Sequence, residues 1–312
     1  MYFDNIIGHD RSKQFILNSI KKDRISHAYL FEGPSGIGKM MFSMELSKIM
    51  LGIDTLENDP DLKILKPDGA SFKIGQIRDI QLDIIIKPYK NKKIYILEDA
   101  HKMTVQAQNA LLKTLEEPPE YALIILIVEN SSSILDTIKS RCEVVKFSPL
   151  TQGQIQNYLV DNRNIDSKRA KVVASFSMGI LSKALDLCYS EEFNNKRNEI
   201  QEYLNIIQSR DLIDMYTINT KLEKHKSNLN EVIDMIITYF RDILMIKQGV
   251  DEDLIINLDQ IEFLSSLSKQ FTYFQISKII DIIDESNKNI MKNCNFNMVI
   301  GTMILNIYEV IK

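Results

Sequence analysis

The stretch Ala28-Tyr29-Leu30-Phe31-Glu32-Gly33-Pro34-Ser35-Gly36-Ile37-Gly38-Lys39-Met40 decides the fold. It opens on a short apolar run, passes through a glycine-rich turn and leads into residues 40–50, which read as a helix. Strand, turn and helix in that order, with GxxxxGK across the turn, form the context of a phosphate-binding P-loop. Glycines let backbone N–H groups face inward around an anion, the helix N-terminus adds the positive end of its dipole, and Lys39 adds a point charge. Gly33, Gly36, Gly38 and Lys39 are therefore candidate nucleotide-binding residues. A chance glycine-rich turn is the competing reading, and the placement of the flanking elements disfavours it. The eighth position of such a loop calls for a Ser or Thr hydroxyl as a Mg²⁺ ligand. Here it is Met40, and a thioether is a poor partner for a hard cation that prefers oxygen.

Working outward, further strand-like runs follow. Ile94-Tyr95-Ile96-Leu97 and the run from Leu123 through Val128 are apolar throughout, as expected of strands covered on both faces. Residues 143–147 read as another strand, and residues 104–117 as a helix that stops at Pro118-Pro119, because proline cannot continue the helical ladder. This alternation predicts a parallel-sheet α/β domain over residues 1–150. After Ser148-Pro149-Leu150 strand-like runs become rare. Residues 152–162, 167–176 and 181–189 read as three short helices, and from about Asn194 the chain is helical almost throughout. Residues 231–247 carry a wide apolar stripe at helical spacing. The expected organisation is α/β plus all-α: the P-loop domain, a three-helix lid over 151–207 and an all-helical domain over 208–312.

The bulk properties narrow the function classes. A chain of 312 residues is long for one core and leads to an expectation of two or three domains. With 45% hydrophobic and 26% charged residues the composition is that of a globular protein. A formal net charge of −4 disfavours a module that lives by gripping phosphate backbones alone. No run approaches the roughly 18 apolar residues of a membrane span. The first residues show no secretory pattern, and Cys142, Cys188 and Cys294 form no CxxC pair, so a cytoplasmic protein with free thiols is expected. Residues 50–60 hold no cysteine, so no structural zinc is expected there.

Residues Ile94 through Leu97, followed by Glu98 and Asp99, look like a Walker B strand, whose usual ending is Asp then Glu. Both carboxylates are present in exchanged order, each with the wrong length by one methylene. A working pair and two acids without chemistry both fit. More specific is the run Gln108-Asn109-Ala110-Leu111-Leu112-Lys113-Thr114-Leu115-Glu116-Glu117-Pro118-Pro119 taken with Ser140-Arg141-Cys142. Together with Ile7-Gly8, Ser26-His27-Ala28-Tyr29-Leu30-Phe31 and Ile77-Arg78, it resembles the clamp-loader branch of the AAA+ superfamily, and within it the bacterial DNA polymerase III delta-prime family. The resemblance is dense over residues 3–150, weaker over the lid and weakest over the C-terminal helices, where 295–305 is the clearest echo.

That resemblance implies an AAA+ sheet domain, a lid and a helical collar. Its partners would be gamma/tau and delta subunits, with the sliding clamp and primed DNA reached through the complex and no membrane involved. It implies that Arg141 acts in trans as an arginine finger on ATP bound by a neighbour, a planar and permanently charged fork. A surface arginine capping a helix end is the competing reading. Gly33, Gly36, Gly38, Lys39, Glu98 and Asp99 would form a degenerate site open to ATP, ADP or phosphate, with no cofactor required and no metal. Three departures from a motor subunit stand out: Met40, a sensor-1 position at Val128 with Asn130 as its only polar candidate, and Ser182 where a motor carries arginine. Lys183 is rotated by roughly 100° from that position on a helix. The expectation is negligible ATPase by the chain alone, as a part of the polymerase holoenzyme. The alternative is a self-contained gamma/tau-type ATPase. His27 and His101 have no spaced ligand partner, and the lysines near 21 and 90 read as solvated faces.

Overall fold

The computed structural model describes residues 2–292 and 294–312. The chain divides into two compact units, one formed by residues 1–162 with 177–185, the other by 163–176 with 186–312.

The first unit is built on five parallel strands, β1 (Ala28–Glu32), β2 (Leu62–Leu65), β3 (Lys93–Leu97), β4 (Ala122–Val128) and β5 (Glu143–Lys146), in the order β2-β3-β4-β1-β5. Alternate residues supply opposite faces, as the two-residue period of a strand requires. Ala28, Leu30, Tyr95, Leu97, Ile124 and Leu126 join a core with Ile77 and Ile80 of α3 (Ile74–Asp83) and Leu111 and Leu115 of α4 (Val105–Glu116). Tyr29, Phe31, Ile94, Ile96, Ile125 and Ile127 join another with Ile16 of α1 (Asp10–Lys21) and Phe42 and Leu46 of α2 (Lys39–Leu51). Both faces are thus covered, which is why β4 is buried along its whole length and reads as an unbroken apolar run.

The edge strand β2 escaped the sequence reading. Its sequence Leu62-Lys63-Ile64-Leu65 is short, two of its residues are exposed, and it pairs only with β3. An edge strand with one ladder needs no continuous apolar signal. Beside it Asp83 accepts from Tyr95 Oη at 2.6 Å and meets Lys63 at 2.7 Å and Lys93 at 3.0 Å. Burial pushes its carboxyl up, and these contacts outweigh burial and hold it at about 2. Helix α4 starts where Thr104 accepts a hydrogen bond from the Ala107 N–H at 3.2 Å, and it ends just before Pro118-Pro119. The short α5 (Asp136–Lys139) precedes β5, and α6 (Gln152–Arg163) follows the sheet.

The second unit is helical. It contains α7 (Ser167–Phe176), α9 (Glu191–Ser209), α10 (Leu212–Glu223), α11 (Leu229–Lys247), α12 (Ile261–Gln270), α13 (Tyr273–Met291) and α14 (Phe296–Ile311), with α8 (Leu181–Tyr189) crossing the division. Its apolar stripes meet in a core that includes Ile233, Ile236, Ile279, Ile283, Ile300 and Ile304, so most of the late isoleucines are core residues. Buried Arg197 binds Asp259 through two contacts of 2.7 Å, and buried Asp242 accepts from Asn257 N and Nδ2, which pins the loop before α12.

Candidate functional site

The C-terminal ends of β1, β3 and β4 open onto one cleft of about 320 Å³. Strand register sets this up: Glu32 pairs with Val128 and Leu97 with Leu126, so the turns after these strands emerge together. Ligands of open α/β sheets collect at such an edge. The cleft is lined by Gly36, Gly38, Lys39, Met40, Met41, Glu98, Asp99 and Glu129, and by Ser182 of α8. The structure thus brings Gly36, Gly38, Lys39, Glu98 and Asp99 together around one space. Gly33 lies at the start of the loop, where its carbonyl serves Lys39.

Two features shape the loop. Gly36 has φ 76°, and a Cβ there would lie 1.9 Å from Ser182 Oγ, so only glycine fits. The Ser182 N–H donates to the Gly36 carbonyl at 3.1 Å, which ties the start of α8 to the P-loop. Buried Lys39 donates Nζ to the Gly33 carbonyl and, at 2.6 Å, to the Pro34 carbonyl. Burial holds its ammonium below the usual lysine range, while the carboxylates of Glu129, Asp99 and Glu98 pull the other way. From outside the cleft, His9 contributes a support the sequence reading missed. Its Nε2 lies 2.9 Å from the Ile37 carbonyl, which can only accept, so Nε2 carries the proton. Burial keeps that ring below its ordinary pKa.

The acids at the end of β3 are paired within the chain. Lys66 Nζ meets Glu98 Oε2 at 2.9 Å, and Lys102 meets Asp99 at 2.8 Å. Asn130, the sensor-1 candidate, is exposed and closes its own turn by accepting from the Ser132 N–H at 2.8 Å. The adjacent Glu129 lines the cleft instead. Asp99, His101 and Glu129 place ligand-capable atoms within 4.8 Å of one another, a proximity that spacing along the chain did not reveal. The backbone N–H groups and Lys39 suit a phosphate. For a hard divalent cation the loop offers Met40 sulfur where a hydroxyl oxygen is needed, and Glu98 and Asp99 already face lysines.

Arg141 is placed apart from that cleft, beyond the C-terminal end of α5. Its Nη1 donates to the Thr137 carbonyl at 2.9 Å and to Ser140 Oγ at 3.3 Å, and its Nη2 forms an ion pair with Glu116 at 2.8 Å. The two sequence signatures, the run ending in Glu116-Glu117-Pro118-Pro119 and Ser140-Arg141-Cys142, therefore meet in one contact. Cys142 packs against the sheet core, and burial pushes its thiol up to about 12, so it serves packing.

Fold and site define a P-loop protein of the AAA+ class, with the P-loop and a Walker B-like strand end at one edge of the sheet and a helical C-terminal region. A family model described as "DNA polymerase III, delta subunit" matches residues 8–151, and one described as "DNA polymerase III, delta subunit, C terminal" matches residues 191–308. The chain is 30% identical to DNA polymerase III subunit delta' of Bacillus subtilis, with 96% of each covered. It belongs to the DNA polymerase III delta-prime family, in the clamp-loader branch. It is also 27% identical to the tau subunit of the same bacterium over 92% of this chain and 58% of that protein. A solved gamma-subunit-related protein from Thermotoga maritima covers 95% of this chain at 18% identity and a TM-score of 0.44.

Proposed function

We propose that this chain works as a non-motor member of a clamp-loader assembly with gamma/tau and delta subunits, and that Arg141 serves ATP held by a neighbour. The observation that carries this reading is the contrast between its two half-sites. The P-loop has Met40 at the hydroxyl position, Lys39 turned onto the loop's own carbonyls, and Walker B acids paired with Lys66 and Lys102. Arg141 stands outside that cleft, held at the end of α5 and partly exposed. An arginine fork brought to a terminal phosphate stabilises charge on the transferring phosphoryl group, even when its own subunit hydrolyses nothing.

On this reading the P-loop of the chain holds phosphate or nucleotide through Gly36, Gly38 and Lys39 without catalysing its hydrolysis. Glu98 and Asp99 would flank that ligand, and the Mg²⁺-dependent chemistry belongs to the neighbour. Exposed apolar residues support assembly. Ile213, Phe274 and Met298 stand out from the helical unit, and Ile85 and Tyr89 from the sheet unit. No helix among the described residues is long and apolar enough to cross a membrane, in keeping with work on primed DNA and the sliding clamp in the cytoplasm.

The test is steady-state ATPase of the purified chain, alone and reconstituted with gamma/tau and delta subunits and primed DNA. Negligible turnover alone and loss of stimulated turnover with Arg141→Ala are expected. Turnover by the chain alone that matches the assembly and disappears with Lys39→Ala would establish the self-contained ATPase instead.

A further inference from the structure

We infer that Glu116 is the positioning residue for Arg141, fixing its guanidinium so that it is already oriented when a neighbour's phosphate arrives. This rests on the finger reading above and adds to it a residue on a separate element.

Leu111 and Leu115 bury α4 against the sheet, Thr104 caps its start, and Pro118-Pro119 stops it just after Glu116. Glu116 is therefore an exposed carboxylate carried on a rigid element, at a fixed place. A functional group supported by such an element is held more closely than one on a loop. Arg141 by contrast follows a four-residue helix, and only 35% of its side chain is exposed. Three anchors hold it. The Thr137 carbonyl and Ser140 Oγ both accept from Nη1, and both belong to the local chain around α5. Glu116 supplies the only carboxylate paired with it among the described residues, at 2.8 Å from Nη2.

The division of donors matters. A guanidinium has five N–H groups in a planar fork. The anchors engage the Nη1 and Nη2 side, while Nε–H has no hydrogen-bond partner among the described residues. Glu116 thus restrains the plane of the fork without occupying every donor, and a phosphate oxygen can still be met. Without Glu116, two neutral acceptors remain on one nitrogen and the plane is free to swing about them. An arginine that must be ordered on arrival binds the transition state less well than one ordered beforehand.

The test is a double-mutant cycle in the reconstituted assembly, with DNA-stimulated kcat and KM for ATP as readouts. Glu116→Gln keeps the shape and removes the charge, and Glu116→Ala removes both. Exposed ion pairs are worth little, so a kcat loss of about threefold to fivefold with KM unchanged is expected. In an Arg141→Ala background either substitution should add nothing, because its only route is through the arginine. Losses that multiply in that background, or an unchanged kcat for both Glu116 variants beside a defective Arg141→Ala, would overturn the positioning role and leave the finger standing. An Arg141→Ala assembly with normal kcat would remove the finger and this inference together.

Discussion

The P-loop cleft and the Arg141 face lie on the same sheet domain, and they treat their cations in opposite ways. In the cleft Lys39 is buried and donates to the Gly33 and Pro34 carbonyls, while Lys66 and Lys102 pair with Glu98 and Asp99. At the other face Arg141 is held by a carbonyl, a hydroxyl and one exposed carboxylate, and remains partly open. A buried lysine turned onto its own loop suits a structural or binding role. An ordered, partly open arginine suits a phosphate that comes from elsewhere. On the proposed reading, degeneracy is local to one half-site and is not a general decay of the domain.

The sharpest way to break this comparison is to exchange the weights of the two halves. Arg141→Ala should remove about a thousandfold or more of the acceleration at the one neighbouring site it serves, read by single-turnover hydrolysis in the assembly. Lys39→Ala in this chain should leave stimulated turnover within about twofold. Equal losses from both would dissolve the contrast. Next in size is Gly36→Ala. A positive φ and a Cβ 1.9 Å from Ser182 Oγ should cost about 2 kcal/mol, seen as a lower urea midpoint, without a defect attributable to Arg141.

Smaller still is Met40→Thr, which restores an oxygen at the cation position. Calorimetric titration should show ATP binding about tenfold tighter with Mg²⁺ than with chelator, and no such difference is expected of the unaltered chain. An unchanged titration would place the block elsewhere, with Lys66 and Lys102. The smallest effect is a control for stability alone. The folded carboxyl of Asp83 is held at about 2 against an ordinary value of 3.8, so its stabilisation is present above pH 4 and is lost as pH falls through about 2. Asp83→Asn should be less stable at neutral pH by about 1 kcal/mol, with the gap closing on acidification, and should leave stimulated turnover unchanged.

Much of the fold was legible because its signals are local. The P-loop, the buried β3 and β4 and the proline stop after α4 each follow from residues adjacent in sequence. The edge strand β2 was not, since one ladder and two exposed residues leave no apolar pattern. The site followed the same rule. Gly36, Gly38, Lys39, Glu98 and Asp99 were readable from motif spacing and converge on the cleft. Glu129 was not, because the expected sensor position fell at Val128 with Asn130 as its only polar candidate, and the Asn130 amide serves its own turn.

By itself the sequence determined most of the succession of strands and helices, the family, and which residue types stand at each motif position, above all Met40 and Arg141. Only the tertiary structure decided what those residues touch. Lys66 reaches Glu98 and His9 reaches Ile37 near the carboxyl ends of the strands, and Glu116 reaches Arg141 near their amino ends, because parallel strands and their crossovers return distant segments to the two edges of the sheet. A side-chain contact depends on that return path and on the direction of each Cα–Cβ bond, and neither is encoded in the spacing of a motif.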